Sequence, residues 1–162
     1  MIMKKILLLT IFTIFGFTVA HSQSNWKIGV NAGIPVGDVH DFSSFNLGGD
    51  VAYLFNITDV FSVGPLVGYS HFFEEEDGIG EDLSFIPLAA SGRFSFSDAF
   101  FVGADLGYAI GVDDGNDGGF YYRPKLGYNF GMVALILSYA GIEITDGGPT
   151  AGTVNLGIEL GF

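Results

Sequence analysis

The sequence predicts an all-β fold, an eight-stranded antiparallel up-and-down transmembrane β-barrel with short turns at one end and longer acidic loops at the other. Three observations carry this. Apolar and polar residues alternate with period two in eight segments separated by breaks rich in Gly and Asp. Those breaks alternate long and short along the chain. Hydrophobic residues make up 49% of the chain and charged residues only 15%, yet no stretch after residue 20 is apolar over the eighteen or so residues that a spanning helix needs.

Composition bounds the rest. A chain of 162 residues suits one domain. The absence of Cys excludes a disulfide framework, a thiolate zinc site and a lipidated amino terminus. A net charge of −12 argues against nucleic acid, which needs a basic patch, and the apolar content argues against disorder.

The amino terminus differs in kind. Lys4 and Lys5 precede the apolar run Ile6 to Ala20, which is the pattern of a signal peptide. Cleavage is expected after Ala20 or after Ser22; the latter removes a leader over residues 1–22 and leaves the barrel domain over 23–162. The exported chain then keeps four cations, Lys27, Arg93, Arg123 and Lys125.

The first segment runs from Trp26 to Pro35, with Trp26, Ile28, Val30, Ala32 and Ile34 on one face. The second, Phe45 to Phe55, sets Leu47, Val51, Tyr53 and Phe55 against Gly48 and Asp50. Asn56 to Asp59 is a short turn. The third, Val60 to Phe72, sets Phe61, Val63, Val67 and Tyr69 against Ser62, Gly64, Gly68 and Ser70. A long acidic break covers Phe73 to Asp82. The fourth, Leu83 to Phe96, turns Ile86, Leu88, Ala90 and Phe94 outward and Ser91, Arg93 and Ser95 inward.

After the tight turn Ser97-Asp98-Ala99, the fifth segment, Phe100 to Val112, sets Val102, Leu106, Tyr108 and Ile110 against Gly103, Asp105, Gly107 and Gly111. The sixth, Gly119 to Phe130, sets Phe120, Tyr122, Leu126 and Tyr128 against Tyr121, Arg123, Lys125 and Asn129. The seventh runs from Met132 to Ile142 with Leu135, Leu137 and Tyr139 outward. The last, Thr153 to Phe162, alternates Val154, Leu156, Ile158, Leu160 and Phe162 with Asn155, Gly157, Glu159 and Gly161.

Three tests set a lipid-facing barrel against a water-facing one. The four cations fall on the inner face with Asp50, Asp105 and Glu159, and no Lys or Arg falls on the outer face, where lipid penalises charge. Strand glycines point mostly inward, as a narrow lumen requires, with Gly49, Gly92 and Gly141 outward. Aromatics gather at both strand ends as membrane girdles. Trp26, Phe55, Phe61, Phe94, Phe96, Phe100, Phe130 and Phe162 lie toward the short turns, and Tyr69, Phe72, Phe120 and Tyr122 toward the long loops. Pro65, Pro87 and Pro124 interrupt this pattern, and bulges or strand ends are expected there because each lacks an N–H.

The runs PLAASGRFSFSDAFFVGADLGYAIG (Pro87 to Gly111), GGFYYRPKLGYNFG (Gly118 to Gly131) and LSYAGI (Leu137 to Ile142) resemble the small outer-membrane β-barrel proteins of Bacteroidota, relatives in shape of the OmpX, OmpW and OmpA-barrel proteins. The resemblance covers nearly the whole exported chain and implies a porin-like barrel in the outer membrane of a Gram-negative cell. Phe162 resembles the carboxy-terminal signal read by the barrel-assembly machinery. The resemblance implies no catalytic residue.

The candidate site is therefore the lumen charge network of Lys27, Asp50, Arg93, Asp105, Arg123, Lys125 and Glu159, joined by Tyr121 and Asn129. Lys27 is expected to pair with Glu159 across the closing seam. If the loop after the fifth strand centres on Gly115, Lys125 faces Asp105, with Arg123 one inward position above. Paired charges of this kind plug and rigidify a narrow lumen; set in a pore they would govern selectivity.

No cofactor or metal is expected. Asp113 to Gly118 only faintly follows a calcium loop, because its third position is Gly115 and the bidentate Glu is replaced by Pro124. Enzyme activity is not expected either, since Ser70 and His71 point to opposite faces. The acidic loops, with Asp38, Asp41, Glu74 to Asp77, Glu81, Asp82, Asp113, Asp114, Asp117, Glu143 and Asp146, keep the rim solvated, and a weaker reading has them bind cations bridging to lipopolysaccharide. The expected partners are outer-membrane lipid, lipopolysaccharide and the assembly machinery, with no nucleic acid and a monomeric state. The expected role is structural or one of surface interaction, with a narrow pore as the alternative and a lipid-modifying enzyme behind both.

Overall fold

Period-two alternation becomes a wall with two faces when every strand pairs with its chain neighbour. The computed structural model describes residues 25–37, 43–74, 82–145 and 147–162. The predicted leader over residues 1–22 lies outside the described residues, as do the acidic positions 38, 41, 75–77, 81 and 146.

The strands are β1 (Trp26–Val36), β2 (Ser43–Tyr53, resuming at Phe55–Asn56), β3 (Phe61–Glu74), β4 (Leu83–Ser95), β5 (Phe100–Gly111), β6 (Gly119–Phe130), β7 (Val133–Ile144) and β8 (Thr150–Gly161). Each is antiparallel to the next, and β8 pairs with β1, so the sheet is a closed barrel of eight strands. The predicted segments and their faces hold. The boundaries move by a few residues: β2 begins at Ser43, β3 continues to Glu74, and β8 begins at Thr150.

Following partners around the wall gives its stagger. Lys27 faces Ala52, then Leu66, Ala89, Gly107, Tyr121, Ile142 and Ala151 in turn. Gly152 pairs with Val36, so the circuit started at Lys27 returns to the chain at Gly37, ten residues further on. A stagger of that size over eight strands corresponds to strands tilted by roughly 40°. Strands of 11 to 14 residues at that tilt are long enough to cross a hydrocarbon core.

The outer wall is apolar, with Val30, Ile34, Leu47, Leu106, Leu137, Leu156 and Ile158 all exposed. Lys27, Arg93, Arg123 and Lys125 lie within the lumen. A water-facing barrel would have these faces reversed. The girdles are chains of touching rings. Trp26, Tyr53 and Phe55 form one near the short turns, and Phe96, Phe100, Tyr128 and Phe130 another. Phe45, Phe73, His71 and Tyr69 make contact near the long loops, as do Phe120, Tyr122 and Tyr139.

Phe72 does not belong to a girdle. It shares the parity of Ser70 and is buried in the lumen against Phe85, and Phe73 takes the outward position.

The prolines are accommodated without the expected bulges. Pairing of β2 with β3 stops at Ala52↔Leu66 and resumes in unchanged register at Phe55↔Val63, which leaves Pro65 unpaired on that side and divides β2 at Leu54. The β3–β4 ladder skips from Val67↔Leu88 to Ser70↔Phe85 at Pro87, and the β6–β7 ladder from Tyr122↔Gly141 to Lys125↔Ser138 at Pro124. Each proline stays paired on its other side, with Ala90, Ala109 and Ala104 respectively. A missing N–H thus opens one ladder for two residues and shifts nothing.

Candidate functional site

The inward positions of the eight strands fill the lumen in layers. At the short-turn mouth is an open vestibule of about 530 Å³ that includes Lys27, Asn56, Asp59, Ser62, Arg93 and Asn129 in its lining. Its floor is Arg93. The guanidinium of Arg93 donates from both terminal nitrogens to Glu159 on β8, at 2.8 and 2.9 Å, and stacks 3.9 Å from the centroid of the buried Phe101 ring. This bidentate pair spans the barrel between strands that are not neighbours. Phe101 fits only because Gly127 lies opposite it on β6; a Cβ there would collide with the ring.

Asp105 is the hub of the next layer and is wholly buried. Its Oδ1 accepts from Lys125 Nζ and its Oδ2 from Arg123 Nε, each at 2.7 Å. Arg123 Nη1 continues to Asp50 at 2.8 Å, and Lys125 Nζ also reaches Ser91 at 3.2 Å. Charges this deep hold their ionised form through their partners, and removing one partner leaves the other stranded.

Above the ions, Asn46 donates to Ser70 and to the His71 carbonyl, and Asn155 donates to Thr153. A gap of about 20 Å³, big enough for a single water, adjoins this polar zone, and one of about 10 Å³ lies beside Asp50, Arg123 and Glu159. Toward the long-loop end, Phe72, Phe85, Ala109, Tyr121, Ile142 and Ala151 form a buried apolar cluster.

The structure gathers Asp50, Arg93, Asp105, Arg123, Lys125 and Glu159 into the lumen, as their parity predicts. Three details differ. Glu159 is taken by Arg93 rather than by Lys27, which faces Gly161, and among the described residues no carboxylate forms an ion pair with Lys27. Arg123, not Lys125, stands opposite Asp105, because the β5–β6 loop centres on Asp114 instead of Gly115; Lys125 reaches the same carboxylate from the neighbouring pair. Tyr121 packs into the apolar cluster, and Asn129 lines the vestibule. Ser91, Phe101 and the Asn46 and Asn155 layer were not foreseen. Their inward parity was visible, but nothing in the sequence marks which inward residues touch across a lumen.

Asp113, first residue of the faint calcium pattern, turns its carboxylate to the Ser84 N–H. Phe162, the predicted assembly signal, closes the girdle edge by exchanging backbone hydrogen bonds with Trp26 at 3.0 and 2.9 Å.

A closed eight-stranded barrel, apolar outside and ionic within, has the fold of the small outer-membrane barrels. Among solved structures the chain is similar to the attachment invasion locus protein Ail of Yersinia pestis, at 19% identity and a TM-score of 0.59, covering 85% of this chain and 96% of that one. It is similar to the N-terminal β-barrel domain of Pseudomonas aeruginosa OprF at 16% identity and a TM-score of 0.57, covering 86% and 98%. A de novo designed transmembrane β-barrel matches at 13% identity and a TM-score of 0.58, covering 88% and 98%. The sequence matches no protein-family model and no curated protein.

Proposed function

We propose that the chain is an integral outer-membrane barrel, exported by its leader, whose lumen is closed and whose role is structural or one of interaction at the cell surface. The observation that supports this reading is that Arg93–Glu159 and the Asp105 hub are buried ion pairs within the lumen, with the apolar cluster around Phe72 and Tyr121 above them. The resemblance to Bacteroidota barrels supports the same place in the cell, with lipid and lipopolysaccharide around a monomer and the assembly machinery acting on Phe162. The similarity to Ail, called an attachment invasion locus protein, supports a surface role.

In planar bilayers the purified protein is expected to give no discrete current steps. Steps that change with Arg93→Ala or Arg123→Ala would overturn the closed lumen. They would favour the second reading, a narrow pore for ions or small solutes, which the vestibule of about 530 Å³ supports at one mouth.

A further inference from the structure

We propose that Ser84, His71 and Asp82, on the outer wall at the long-loop rim, form an ester-hydrolysing trio that acts on the acyl esters of membrane lipids. The sequence expectation against an enzyme rested on Ser70, which does point away from His71. The neighbouring strand supplies another serine. The β3–β4 register sets His71 opposite Ser84, both facing outward, while Phe72 and Phe85 beside them face the lumen.

His71 Nδ1 lies 2.8 Å from Ser84 Oγ, and His71 Nε2 lies 3.4 Å from Asp82 Oδ2. The other carboxylate oxygen of Asp82 accepts the Glu74 N–H at 2.8 Å, which holds the carboxylate across the strand ends. A carboxylate at Nε2 favours the tautomer protonated there and leaves the Nδ1 lone pair to take the serine proton. The imidazole is held by the stacked Tyr69 ring and the edge-on Phe73 ring, with centroids at 6.3 and 4.5 Å. Ser84 is held through its backbone, its N–H to Asp113 and its carbonyl to Asn116.

Ser84 is buried under Tyr69, whose hydroxyl donates to Oγ at 3.1 Å and whose ring is half exposed on the lipid side. An ester reaches Oγ when this ring swings aside, and the freed Tyr69 hydroxyl is then the nearest donor for the developing oxyanion.

Ser84 Oγ attacks the ester carbonyl as its proton passes to His71 Nδ1. Collapse breaks the bond to the alcohol oxygen, which takes that proton, and leaves the acyl group on Oγ. Rim water then attacks the acyl–Ser84 ester, gives its proton to Nδ1 and from there to Oγ, and the carboxylic acid departs. One ester and one water become one alcohol and one acid.

The wall around the trio belongs to the long-loop girdle, the depth at which acyl esters lie in a bilayer. The substrate assignment therefore rests on the membrane reading above. The test uses refolded full-length barrel in mixed micelles with phosphatidylethanolamine or with lipopolysaccharide, scored for released fatty acid, and p-nitrophenyl butyrate as a soluble ester. A gel mobility shift on boiling reports separately whether each protein is a folded barrel.

Release from one of the lipids is expected, reduced at least a hundredfold by Ser84→Ala and by His71→Asn, with a fluorophosphonate labelling Ser84 in the native chain only. Folded protein that releases no fatty acid from either lipid, or Ser84→Ala that releases as much as the native chain, overturns the proposal. Cleavage of the soluble ester alone overturns the lipid assignment. Which of the two lipids is cleaved identifies the source of the ester.

Discussion

At the scale of single residues, Asp105 carries more of the lumen than any other carboxylate, because it compensates Arg123 and Lys125 together. Asp105→Asn strands Lys125 and leaves Arg123 only Asp50, and is expected to cost about 3–5 kcal/mol. Asp50→Asn, which leaves Arg123 its second partner, should cost less. Urea unfolding followed by the fluorescence of Trp26, the single Trp of the chain, measures both. For the bidentate pair, Arg93→Met with Glu159→Leu should be more stable than either single change, since no charge is then left alone. Which residues enter the lumen was legible, because a two-residue period assigns every strand residue to a face. Which of them pair was not. Arg and Lys side chains are long enough to pass over one register position, as Lys125 does, or to cross the barrel, as Arg93 does.

At the scale of strands, the alternation locates all eight, and it goes astray at one strand end and at the prolines. As the last aromatic of its predicted segment Phe72 is expected in the girdle, but its parity with Ser70 places it inside. The strand simply continues two residues further. A missing N–H predicts bulges or strand ends at the prolines, whereas the second ladder of each strand keeps the register fixed. Packing between strands supplies a sharper test. Gly127→Ala drives a methyl group into the Phe101 ring and is expected to cost about 1–3 kcal/mol. Phe101→Leu in the same chain should recover part of that loss in the same urea titration.

At the scale of the whole molecule, a closed wall with no free edge resists detergent until it is heated. Unboiled protein is therefore expected to migrate apart from boiled protein on a gel, and a single position for both would contradict the barrel. The Arg93–Glu159 pair adds a condition on how that wall comes to be complete. Its cation lies on β4 and its anion on β8, which is the last strand made and the one that meets β1. A barrel lacking β8 would lack Glu159, the carboxylate that pairs with Arg93, and an unpaired cation is costly in a membrane. Closure of the seam and pairing of Arg93 thus both depend on β8, the strand that carries Glu159 and meets β1.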